Sequence, residues 1–148
     1  GNLWVTAVIA VNAVGDVFEE EAGKIIAGAQ KAGESKVGFS EELFLEYYQN
    51  ESGLFEGNTV IGCVMTNATF PKAKMNKLAD ISHNGIARAI RPSHTTYDGD
   101  TLFVLGANQI EASFEAVSIL TVEAVRQAII KGTKAAETYG DYLAYQDL

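Results

Sequence analysis

From Leu3 to Val14 the chain reads Leu-Trp-Val-Thr-Ala-Val-Ile-Ala-Val-Asn-Ala-Val, a run of Val, Ile and Ala with almost no polar alternation. A half-exposed strand alternates polar with apolar at a period of two, so this run is expected to be a strand covered on both faces. It begins at the second or third residue without a protective lead, which sets the expectation that preceding chain has been removed or lies in another polypeptide. A second apolar run, Val60-Ile61-Gly62-Cys63-Val64-Met65, follows directly on Gly57-Asn58-Thr59. The strand expected over residues 59 to 67 therefore opens on a hydroxyl residue joined to a flexible pair.

Between these runs the texture changes. Glu19-Glu20-Glu21 and four spaced glycines, Gly23, Gly28, Gly33 and Gly38, precede Glu41-Glu42-Leu43-Phe44-Leu45-Glu46-Tyr47-Tyr48. Short helices are expected around Ala22 to Ala32 and Glu41 to Tyr48, glycine disfavouring the first. Gly15 to Asn58 as a whole reads as a long surface excursion of the functional or mobile kind. Beyond the second strand, Thr69 is expected to cap a helix with Pro71 in its first turn. Met75, Leu78, Ala79, Ser82, Ile86 and Ile90 continue it at helical spacing until Arg91-Pro92. Thr101 to Gly106 reads as another short strand, and Asn108 with Glu111 as a capping box opening a helix that runs to Lys131. Phe114, Val117, Ile119, Leu120, Val122, Val125, Ile129 and Ile130 make that helix apolar around much of its circumference, so it is expected to be sandwiched. Tyr139, Tyr142 and Tyr145 mark a docking tail. Strand, helix, strand, helix points to a layered α/β or α+β domain.

A length of 148 residues and 47% hydrophobic content suit one domain with a substantial core. The net charge of -8 is uneven: residues 1 to 58 hold ten acids and three bases, the remainder nine and eight. Without a basic stripe, nucleic acid and an anionic membrane surface are set aside as partners. The uncharged runs are too short to span a bilayer and the first lacks the positive lead of a secretory signal, so the reading is cytoplasmic. Cys63, the sole cysteine, excludes an internal disulfide and fits a reducing compartment. No glycine cluster matches a phosphate loop or dinucleotide fingerprint, and neither His83 nor His94 has a second ligand at helical spacing; no cofactor and no metal are expected.

Thr59 is the candidate for chemistry. If the backbone were cut before it, its α-amine, titrating near ~8, could take the proton of its own hydroxyl and make a usable nucleophile. A turn at Asn58 followed by an ordinary β-branched strand starter accounts for the same residues. In Tyr97-Asp98-Gly99-Asp100, an extended backbone places Asp98 and Asp100 on one wall, where close carboxylates share a proton; a solvated Asp-Gly-Asp turn is the alternative. Asn12 could aim an amide at a developing oxyanion, a contribution of roughly 3–4 kcal/mol, or bond local backbone. Cys63 is a rival nucleophile by residue type, but on a buried strand it reads as a small hydrophobe, and His83 reads as a helix-packing residue. Ser93, His94 and Asp98 lack a nucleophile elbow.

Three separated blocks, Asn58 to Ala68, His83 to Pro92 and His94 to Thr101, resemble the self-processing L-aminopeptidase/D-amidase-esterase (DmpA-like) family, and within it the nylon-oligomer-hydrolase type. The resemblance covers essentially the whole chain. It implies an αββα sandwich of the N-terminal-nucleophile-hydrolase kind, shared with ornithine acetyltransferases, of which this chain is the C-terminal part. It implies self-cleavage between Asn58 and Thr59, giving residues 1–58, ending in a mobile pre-cleavage loop, and residues 59–148. Thr59 would be the nucleophile, Asp100 would act on it, Asp98 would hold and tune Asp100, and Asn12 would help form the oxyanion site. The implied reaction is hydrolysis of internal amide bonds of 6-aminohexanoate oligomers through an acyl-enzyme. The implied partners are that amide substrate, a missing N-terminal segment carrying an assisting lysine and tyrosine, and further copies in a tetramer. Alternatives are a β-aminopeptidase or D-amino-acid amidase and esterase, an acetyltransferase of the ornithine type, and a non-catalytic interaction domain whose 58–59 bond stays intact.

Overall fold

The computed structural model describes residues 1–30, 37, 38, 40–46 and 57–148. In chain order the elements are β1 (Val5–Asn12), β2 (Asp16–Glu19), β3 (Lys24–Ala27), α1 (Ser40–Glu46), β4 (Thr59–Ala68), α2 (Lys72–Ala89), β5 (Ile90–Arg91), β6 (Thr101–Ile110), α3 (Phe114–Ala135) and a 3-10 turn at Tyr145–Asp147. The two apolar runs find each other: β1 lies antiparallel to β4, with Val5 opposite Thr66 and Asn12 opposite Thr59. β6 then joins β4 in parallel, Ile61 opposite Thr101, and β4 becomes the middle strand. A second antiparallel sheet has the order β3-β2-β5. The expected mixed α/β layering is present.

Alternation along β4 sends Val60, Val64, Thr66 and Ala68 toward the helices. There Val60, Val64 and Leu102 pack with Ile86 of α2 and Val125 and Ile129 of α3, and Val17, Ile26 and Ile90 of the second sheet close the same core. Each such side chain contributes roughly 1.5–3 kcal/mol through removal from water. Gly85 lets the helices approach closely, since a Cβ there would meet the Val122 carbonyl oxygen at 2.6 Å. At the other end Ala68, Leu78 and Val117 form a smaller cluster, with Phe70 and Phe114 edge to face at 5.4 Å.

Several expectations are corrected. β1 is covered on one face only: Val8 is 65% exposed and its neighbours across the sheet, Ile61 and Phe103, are 47% and 56% exposed. An apolar strand needs an apolar neighbour, but its composition does not say how many faces the described chain supplies. Residues 22–30 are not a helix. A turn at Gly23, with φ of +62°, folds β2 back on β3, and residues 31 and 32 lie outside the described residues. Nor is Gly15 to Ala27 a surface excursion. Asp16 is buried and accepts hydrogen bonds from the Ala29 and Ser40 amides, both at 3.0 Å, and from Ser40 Oγ at 2.6 Å. The acidic triplet grips both long helices: Glu19 pairs with Lys134, Glu20 with Arg88 and Glu21 with Arg126.

The second expected helix is present as α1; Tyr47 and Tyr48, and the proposed loop down to Glu56, fall outside the described residues. Pro71, rather than Thr69, occupies the cap position of α2. Asn108 opens no helix; with φ of +52° it continues β6, and α3 begins after Ser113, whose hydroxyl accepts the Ala116 amide at 3.3 Å. α3 is not fully sandwiched either. Val117, Val125 and Ile129 are buried, whereas Ile119 is 71% exposed.

Candidate active site

The sheet register brings the chemistry-bearing residues to one end of β4. Asn12 stands opposite Thr59, and Asn58 bridges Asp98 in parallel. With Val60 turned into the core, alternation assigns Thr59 to the uncovered face, in line with Ile61, Cys63 and Met65. Cys63 is half-buried there, beside Val8 and Phe103, as a small apolar side chain would be.

The carbonyl between Asn58 and Thr59 has two donors in this corner. Its oxygen accepts Thr59 Oγ1 at 2.6 Å and the Gly99 amide at 3.1 Å. Gly99 also leaves room for the hydroxyl, because a Cβ at that position would come within 2.8 Å of Thr59 Oγ1. Asn12 approaches from the other side, but its Nδ2 donates to the Gly57 carbonyl at 3.0 Å. It thus anchors the residue before Asn58 rather than the 58–59 carbonyl.

The two aspartates have separate tasks. Asp98 Oδ2 accepts the Thr95 amide at 2.7 Å and the Thr95 hydroxyl at 2.8 Å, closing the turn that precedes β6. Asp100 is 4% exposed at its side chain. One of its oxygens takes the Val60 amide at 2.8 Å, the residue immediately after the candidate nucleophile. The other lies 2.9 Å from His94 Nδ1. The segment runs alongside the head of β4, Asn58 bridging Asp98 and Ile61 pairing with Thr101, while the two carboxylates take different partners, Asp98 in its own turn and Asp100 on Val60.

Two residues here were not singled out as site residues from sequence. Gly99 contributes a backbone N–H and the absence of a side chain, which leave no signature beyond a glycine in a turn. His94 reaches Asp100 through a left-handed backbone, φ +56°, that no periodicity announces. Its ring also lies 5.0 Å from that of His83, with Nε2 3.4 Å from the His83 carbonyl oxygen. Burial, and secondarily the neighbouring His94, push the His83 imidazole below its ordinary value. A depression of about 930 Å³ has Asn12, Asn58, Ala136 and Leu143 on its walls. Among the described residues no three His, Cys, Asp or Glu side chains converge to hold a metal ion, and no helix is long and apolar enough to cross a membrane.

Residues 1–142 match the model of peptidase family S58. The chain belongs to that family. Family S58 has the N-terminal-nucleophile hydrolase fold, as the sequence resemblance implied. An uncharacterized aminopeptidase of Mycobacterium leprae is 38% identical over 112 residues, which are 76% of this chain and 31% of the relative. The 6-aminohexanoate-oligomer endohydrolases of Kocuria sp. and Paenarthrobacter ureafaciens are 34% and 33% identical over 116 residues, 75% of this chain and 32% of each relative. The chain thus spans about a third of the length of these S58 relatives.

Proposed function

We propose that the protein is a self-processing amide hydrolase in which Thr59 first cuts its own chain and then acts as the nucleophile toward substrate. The observation that carries this reading is the doubly bonded Asn58 carbonyl. Its oxygen is held by Gly99 N–H while the Thr59 hydroxyl lies against the same group. Addition of Oγ1 to the Asn58 carbonyl carbon releases the hydroxyl proton and puts negative charge on an oxygen that already has a fixed donor. Collapse breaks the C–N bond, the nitrogen takes up a proton, and an ester joins Asn58 to Thr59 Oγ1. Water then hydrolyses the ester, leaving a carboxylate on Asn58 and a free amine on Thr59. That amine can deprotonate its own hydroxyl for attack on a substrate amide, and a second water resolves the acyl-enzyme.

In this scheme Asp100 fixes the strand next to the nucleophile, Asp98 shapes the approach loop, and Asn12 loses its Gly57 partner when the cut end withdraws. Its amide is then free to serve an incoming carbonyl. The uncovered apolar face suits cover by further polypeptide, in keeping with the greater length of the relatives, and that cover would complete the site. Internal amides of 6-aminohexanoate oligomers are the preferred substrate class, on the strength of the endohydrolase relatives; assembly of the processed units into tetramers and a cytoplasmic setting go with that reading. The aminopeptidase name of the Mycobacterium leprae relative favours a second reading, removal of amino-terminal residues from short amides.

The deciding experiment is denaturing mass analysis of wild type and Thr59→Ala. Wild type is expected as two polypeptides divided between residues 58 and 59, and Thr59→Ala as one, with amide hydrolysis lowered by a factor on the order of 10³ or more. Hydrolysis that survives in Thr59→Ala removes the mechanism. Equal cleavage of amino-blocked long oligomers and short free-amine amides would reject strict amino-terminal action.

A further inference from the structure

We propose that His94 is a positioning residue, whose Nδ1–H holds the Asp100 carboxylate in the orientation that captures the Val60 amide and so fixes the main chain at Thr59. The inference rests on the reading of Thr59 as nucleophile and adds a residue to it. Asp100 is almost wholly removed from solvent, and a carboxylate so placed requires donors on its oxygens. Its Oδ1 accepts from Val60 N at 2.8 Å, and its Oδ2 faces His94 Nδ1 at 2.9 Å. With the second oxygen unheld, the carboxylate can rotate away from Val60 about its side-chain torsions. The head of β4 would then lose this side-chain tie between the residue after Thr59 and the segment that carries Gly99.

The loop is built to present this imidazole. Asp98 accepts both the amide and the hydroxyl of Thr95, the Asp98 amide donates to the Thr95 carbonyl at 3.1 Å, and the resulting turn returns the chain toward Asp100 directly after His94. On its far side the ring rests against His83 of α2. Nδ1 faces the Asp100 carboxylate and Nε2 lies 3.4 Å from the His83 carbonyl oxygen, so the ring nitrogens are turned to these neighbours and His94 is not arranged as a second base for Thr59. Asp98 accordingly influences Asp100 at a distance, by aiming His94, and the sequence Asp-Gly-Asp divides into a loop-former, an oxyanion donor and a strand anchor.

The two ring nitrogens give separable substitutions. In the full chain, His94→Asn places an amide nitrogen where Nδ1 was, His94→Gln places one nearer Nε2, and His94→Gly keeps the left-handed backbone at ease while removing every donor. The rate of appearance of the 58/59 products and the hydrogen-exchange protection of the Val60 amide are read for each, with the melting temperature as a check on folding. His94→Gly and His94→Gln are expected to slow cleavage by about 10- to 100-fold, the penalty of a small misplacement near reacting atoms, and to deprotect Val60. His94→Asn is expected to stay within about threefold of wild type with Val60 protected. Wild-type cleavage and Val60 protection in His94→Gly, or an Asn variant as impaired as the Gly variant, overturns the proposal. Cleavage persisting in Thr59→Ala instead overturns the nucleophile reading, and the Val60 protection series still decides the role of His94.

Discussion

The two faces of the β1-β4-β6 sheet are made from neighbouring residues of the same strands, yet they do opposite work. Val60, Val64 and Leu102 point into a core closed by α2, α3 and the second sheet. One residue along, Thr59, Ile61, Cys63 and Phe103 point to a face that nothing in the described chain covers. Stability resides on the first face and the candidate chemistry on the rim of the second. The contrast teaches that the candidate nucleophile is held rigidly by a strand whose other side is anchored, while its own side remains accessible.

The comparison is broken most directly from the covered side. Ile129 is fully buried, so Ile129→Ala is expected to cost about 2–5 kcal/mol in denaturant unfolding, with loss of the site following from loss of the fold. A smaller effect is expected from acid. Arg126 is 2% exposed and grips Glu123 at 2.7 Å, which draws that carboxyl down to about 2. Because the folded value lies below the unfolded one, the contribution is full above about pH 4.5 and is lost as the pH falls toward 2. With Glu123 partly exposed and screened, roughly 1 kcal/mol is expected. Urea midpoints measured across that range should lose this increment of pH dependence in Glu123→Gln. Least affected should be the open side: Phe103→Ser is expected to shift stability by no more than about 0.5 kcal/mol in the chain by itself. A large loss there would show that this face is already packed in solution.

Much of the covered side was legible. The spacing of Leu78, Ser82 and Ile86 in α2, and the apolar runs that became β1 and β4, follow from periodicity and β-branching alone. The errors have specific causes. Ala22 to Ala32 offered helix-compatible alanines, but its structure is decided by Asp16, whose partners Ala29 and Ser40 are 13 and 24 residues away. Asn108 and Glu111 had capping spacing, but β6 continues through Asn108 to Ile110, where it still pairs with Ala68, and ends just before Glu111. In the site, Asn12, Asn58, Thr59, Asp98 and Asp100 could be nominated from residue type and family likeness, and the structure gathers them at one sheet end. What each side chain holds could not be read: a backbone donor at Gly99 and an imidazole reached through a left-handed residue are facts of geometry, not of residue pattern.

The antiparallel register of β1 and β4 has a consequence for any break at residue 58. The eight partner pairs it contains, from Val5–Thr66 to Asn12–Thr59, tie the stretches on either side of that break by main-chain hydrogen bonds. Severing the thread leaves this zipper fastened, so the fragments need never diffuse together. Only after unfolding would their union become a meeting of two molecules, harder to re-form the more dilute the solution.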